Sequence, residues 1–218
     1  MLSFPSVLSR VDQQASHEMV GDFADACMQV MLRSTGWQFR VQDGTDVEGF
    51  PKLRPDEDAF DVLRRLPSPT FGNALRRVID SAREEIKSDK LAAVSRLLGS
   101  LIWLSLRSSN FPEAHHALVG SGACDLLLEV MKWTVPPESD HQYRDICRAK
   151  GEALTCLGNI CECMDAGELE VLGSKDMIDC VLLIRDSKTM PMVQVGQAAF
   201  TVQRYLAACA RCGVRPCI

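Results

Sequence analysis

With 218 residues, 46% of them hydrophobic, the chain is long enough to bury a substantial core without disulfide or metal staples. Its formal net charge of −5 is concentrated between Asp43 and Asp61, where seven acidic residues face only Lys52 and Arg54. The balanced remainder lacks the broad basic face that a phosphate backbone requires, which argues against nucleic acid as the partner.

No apolar run approaches the ~20 residues that cross a bilayer. The opening MLSFPSVLSRVDQQ has no continuous apolar core for a signal peptide, and Asp12 argues against a transit peptide. Aromatic residues make up only 6%, so the apolar content rests on Leu, Val, Ala, Met and Cys, which suits helix packing better than a sandwich of sheets. Most of the ten cysteines fall inside apolar runs, where they act as small buried hydrophobes; a reduced, cytoplasmic or nuclear protein is expected.

Val7, Leu8, Val11, Ala15, Met19, Phe23, Ala26, Cys27, Val30 and Met31 recur every three or four residues and predict a helix over 7–31. Residues 1–35 therefore form an N-terminal helix or cap. Gly36, Gly44, Gly49, Pro51 and Pro55 among acidic residues make 36–58 an acidic loop or linker, with Trp37, Phe39 and Phe50 able to pin it to the body or to a partner. A short helix over 56–66 stops at Pro67-Ser68-Pro69, and further helices follow over 73–86 and 91–106. Leu91, Val94, Leu97, Leu98, Leu101, Ile102, Leu104 and Leu106 give the latter an almost all-round apolar surface, as in a helix buried among neighbours. The basic residues between Arg64 and Lys90 are mixed with Asp80, Glu84, Glu85 and Asp89 and read as a solvated face. Pro112 opens a helix over 113–119, which Gly120-Ser121-Gly122 ends.

The second half repeats itself. Leu118-Val119-Gly120-Ser121-Gly122-Ala123-Cys124-Asp125-Leu126-Leu127-Leu128 matches Val171-Leu172-Gly173-Ser174-Lys175-Asp176-Met177-Ile178-Asp179-Cys180-Val181-Leu182 with one residue inserted. Leu98-Gly99-Ser100-Leu101 matches Leu157-Gly158-Asn159-Ile160, and a helix over 149–161 matches one over 195–206 through Ala153/Ala198, Leu157/Val202 and Ile160/Tyr205. The unit is a helical triplet. The strings LVGSGACDLLLEVM and GEALTCLGNICE resemble the armadillo consensus, a family related to HEAT repeats, over residues 91–209. The spacing of 53 between Leu118 and Val171 exceeds the ~40–47 of such repeats, and the loop at Pro136-Pro137-Glu138-Ser139-Asp140 is expected to absorb the excess.

The resemblance implies an all-α fold: an armadillo-like right-handed superhelix of stacked helical triplets over 59–208, with an N-terminal helical cap and a Cys-containing tail over 209–218. It implies a protein–protein interaction or scaffold module that binds another protein, peptide or helix along the third helices and catalyses nothing. In the family an Asn on that helix holds the bound peptide's backbone; the matching position is Asn159, with Ser100 and Arg204 at the equivalent places. Only one of the three keeps the Asn, so the groove of an import receptor is not reproduced, and a solvated or capping amide is the alternative for Asn159.

Cys209, Cys212 and Cys217 offer three zinc ligands, one short of a structural site. They resemble the opening of a MYND-type zinc finger whose later ligands are missing. A zinc-dependent adaptor is thus the second functional reading, against a frayed tail with incidental cysteines and no cofactor. Cys156 and Cys163 share a helix face while Cys161 sits elsewhere, which reads as packing. His115-His116 reads as a solvated pair. No phosphate loop, dinucleotide fingerprint, H-E-x-x-H or nucleophile elbow occurs, which leaves an enzyme with an unrecognised Cys/His site as the third reading.

Overall fold

The computed structural model describes residues 91–107, 112–134, 140–173 and 176–218, together with single positions between Gly72 and Ile86. The expected N-terminal cap over 1–35, the acidic segment over 36–58 and the start of the repeat region at 59 lie outside the described residues. Among the described residues 83% are helical and there is no strand, so the all-α expectation holds. Seven helices follow in order: α1 (Leu91–Arg107), α2 (Pro112–Gly120), α3 (Ala123–Lys132), α4 (Asp140–Cys163), α5 (Ala166–Gly173), α6 (Met177–Arg185) and α7 (Met192–Cys212). After α1, two short helices and one long one succeed each other twice.

The long helices form one layer, with α4 packed between α1 and α7. That position explains a composition no surface helix could carry: Ala153, Leu154 and every residue from Cys156 to Cys161 is buried. Two glycines on α4 let α7 come close. A Cβ on Gly158 would stand 3.4 Å from both Arg204 Cδ and Thr201 Oγ1, and one on Gly151 would run into the amides of Gln194 and Gln197. Thr201, fully buried, has its hydroxyl 2.9 Å from the carbonyl of Leu154 across the interface. Before α1, the described positions between Gly72 and Ile86 are helical, with Leu75, Ile79 and Ala82 buried on one face. Arg83 there reaches across to the carboxylate of Glu129 on α3.

The two short-helix turns match in conformation. Gly122 (φ 86°) and Asp176 (φ 54°) both take up the left-handed region immediately before the next helix, a place where glycine has no steric cost and Asp is tolerated. The helix α5 starts on a reciprocal cap: the Glu168 N–H donates to Asp165 Oδ1 (2.9 Å) and the Asp165 N–H to Glu168 Oε2 (3.1 Å).

Two sequence expectations change. The excess spacing lies in helix rather than in the proline loop: Asn159 and Arg204 face each other 45 positions apart, and on that register α4 begins seven residues before α7 does. The extra two turns run from Asp140 to Ile146, where Tyr143 donates to the Thr189 carbonyl (2.7 Å) and Ile146 is buried. The tail expected from 209 begins only after Cys212. There Gly213 (φ 69°) closes α7 with the Val214 N–H donating to the Cys209 carbonyl at 2.9 Å. The residues beyond fold back, the Cys217 N–H donating to the Tyr205 hydroxyl (3.2 Å).

Candidate functional site

Two of the three residues expected to meet a partner meet each other. Asn159 is 4% exposed, its Nδ2 donating to Ser105 Oγ on α1 (3.1 Å) and its Oδ1 accepting from Arg204 Nη1 on α7. Ser105, itself buried, donates to the Ile102 carbonyl at 2.6 Å. Arg204 also pairs through Nε with Glu162 (3.1 Å) and lies 4.3 Å over the Phe200 ring. The Asn159 amide is thus neither solvated nor turned to a groove; it ties the three long helices together. Ser100 lies within α1, with its side chain outside the described residues. Sequence reading did not single out Ser105 or Glu162, whose partners lie on a neighbouring helix, nor Phe200, which meets Arg204 one turn on along α7.

The histidine pair is split. His116 is exposed and its Nδ1–H donates to the Pro112 carbonyl (2.8 Å), one turn back on α2. His115 is only 5% exposed: its Nε2 lies 2.8 Å from Glu168 Oε2, and its Nδ1 is buried without a hydrogen-bond partner among the described residues. The solvated-pair reading therefore fails for His115, because Glu168, 53 residues later, comes to meet it. Around this contact two clefts share Met164, Asp165 and Glu168. One, of about 400 Å³, is walled mainly by apolar groups including Val119, Val171 and Leu172; the other, of about 500 Å³, contains both histidines, Cys163 and Arg211.

The candidate zinc ligands are not gathered. Cys209 is buried, Cys212 Sγ lies 3.6 Å from the Met164 carbonyl, and Cys217 is exposed beside Gly173. Among the described residues no group of three or more His, Cys, Asp or Glu is placed to hold a metal. On α4 the fully buried thiols are Cys156 and Cys161, while Cys163 is half-buried at the cleft. Burial pushes the Cys156 thiol up to about 12 and raises Cys161 as well; Cys163 is raised by burial and by the Glu162 carboxylate. Those three thiols are therefore protonated at neutral pH, the opposite of what an attacking thiolate needs. Timed alkylation of the native protein should label exposed Cys217 before the other described cysteines and leave Cys156 and Cys161 untouched until the protein unfolds; early labelling of either would contradict their placement.

No helix among the described residues is long and apolar enough to cross a membrane. No family model, curated protein or solved structure matches this chain.

Proposed function

We propose that this chain is a protein–protein interaction module, an armadillo-like right-handed stack of helical triplets that binds a segment of another protein and carries out no catalysis. The repeat reading is supported by the short, short, long order of helices. It is also supported by the 45-residue offset between Asn159 and Arg204, inside the ~40–47 of such repeats. The nine described cysteines are all free thiols, and a reducing compartment, cytoplasm or nucleus, suits them.

The observation that carries binding is the paired cleft between α2 and α5. Apolar walls at Val119, Val171 and Leu172 adjoin a polar end where His115 Nδ1 is buried with no hydrogen-bond partner among the described residues. An apolar side chain of the partner would occupy the first cleft, and a polar group of the same segment would meet the exposed His116, Asp165 and Arg211 of the second. This moves the partner surface from Asn159 and Arg204, whose hydrogen bonds are spent inside the stack, to the neighbouring helix ends.

The test is capture from a native extract with the whole chain as bait. Val171 and Leu183 are 54% and 73% exposed, so neither Val171→Asp nor Leu183→Asp disturbs the core, and Leu183 is not part of the cleft. Proteins held by the unaltered chain and by Leu183→Asp should be lost with Val171→Asp. Equal capture by all three would contradict the cleft as the docking site.

A further inference from the structure

The cleft between α2 and α5 has a sign of charge, and if the cleft is the docking site that sign selects the partner's chemistry. Three of the residues lining its apolar half are charged, Asp125 on α3 with Asp165 and Glu168 around the start of α5, and all three are acidic. Their hydrogen bonds inside the protein leave most of that charge in place. The donors that Asp165 and Glu168 offer each other are neutral backbone N–H groups. Arg83, whose charge reaches Asp125, is paired with Glu129. The second cleft is mixed: His116 and Arg211 stand there beside Glu162 and Asp165, and Arg211 donates to the Met164 carbonyl (3.0 Å). The apolar half is therefore the negative half.

The excess of acid extends beyond the cleft. From 165 to 179 the chain carries Asp165, Glu168, Glu170, Asp176 and Asp179 against Lys175 alone, and Glu170, Asp176 and Asp179 are exposed. Lys132 approaches Asp176 only at 3.7 Å, in an ion pair open to solvent. An apolar cleft rimmed by one sign of charge concentrates the field, so it draws cations and repels anions. The same sign excludes an occupant from this chain. The segment from Asp43 to Asp61, with seven acidic residues against Lys52 and Arg54, would be repelled.

We infer that the cleft takes a basic and apolar segment of another protein: a large aliphatic or aromatic side chain seated against Val119, Val171 and Leu172, with a Lys or Arg beside it in the chain meeting Asp125 and Asp165. This rests on the cleft being the docking site. Its volume of about 400 Å³ admits such a side chain. The cation contributes selection among apolar segments and a faster encounter more than strength.

Selection of a displayed library of random short peptides on the whole chain, at low salt, tests this, with the recovered peptides synthesised and their binding measured by fluorescence anisotropy. Peptides that lose binding with Val171→Ser, which trims the apolar wall without adding charge, report on the cleft. They should carry Lys or Arg beside a large apolar residue. Their affinity should fall about five- to tenfold with Asp125→Asn/Asp165→Asn, a change that keeps an oxygen acceptor for the Glu168 N–H, and should fall as salt rises. Circular dichroism should show both variants folded. Replacing the basic residue of the peptide with Glu, which leaves the protein untouched, should abolish binding. Cleft-dependent peptides that lack a basic residue, or that bind Asp125→Asn/Asp165→Asn as well as the unaltered chain, would overturn the inference and leave docking at the cleft standing. If no peptide responds to Val171→Ser, docking at the cleft fails and the inference fails with it.

Discussion

Replacing Asn159 with Leu should lower the stability of the protein by about 2–3 kcal/mol, despite adding apolar surface at a buried position. The amide is the joint between α1, α4 and α7, and its loss strands two partners. Ser105 Oγ loses its donor, and Arg204 loses the buried acceptor opposite Nη1 while keeping Glu162 at the rim. For a chain of this size the melting temperature should fall by roughly 5–10 °C. Arg204→Ala alone should cost less, since that side chain is partly exposed and its ion pair is open to solvent. A double-mutant cycle between the two should give a coupling of about 1 kcal/mol or more. Additive effects would mean that the Asn159–Arg204 contact carries no weight in the folded state.

Glu168→Ala is the second large effect, about 2–3 kcal/mol, because one carboxylate serves two structures. It caps α5 reciprocally with Asp165, worth about 1 kcal/mol, and it is the described partner of His115 on α2. Without it both ring nitrogens of a residue only 5% exposed would lack partners among the described residues, adding about 1–2 kcal/mol. Glu168→Gln keeps an acceptor for the Asp165 N–H and for a neutral His115, so urea unfolding should place it nearer the unaltered protein than Glu168→Ala. Equal destabilisation by both substitutions would assign the effect to charge rather than to hydrogen bonding.

The helices that sequence reading located best are those whose apolar residues keep a steady three-to-four spacing. The helix expected over 91–106 is α1, and that over 113–119 is α2 with Pro112 added. The start of α4 was not readable, because Pro136-Pro137 announces a loop and the next residues, DHQYRDICR, are polar except where Tyr143, Ile146 and Cys147 meet neighbours. The end of α7 was legible in principle: Tyr205, Ala208 and Cys209 continue the helical period, but the Cys-x-x-Cys spacing drew attention to metal instead.

At the candidate site, what failed was long-range. His115-His116 looks solvated until Glu168 is brought beside it, and a motif that turns Asn159 toward a groove says nothing of an Arg placed one helix later to bind it. The Asp165–Glu168 cap was a local signal, Asp-x-x-Glu before an apolar run, and was there to be read.

Everything proposed for this chain rests on α4 lying between α1 and α7, and native-state hydrogen exchange measures that directly. The amides of α4 from Ala153 to Cys161 should be the slowest in the described residues, exchanging only when the whole protein unfolds. Those of α5 and α6, each with one buried side, should exchange earlier through local opening. Protection in α4 no greater than in α5 or α6 would contradict the layered stack, and with it the cleft built upon it.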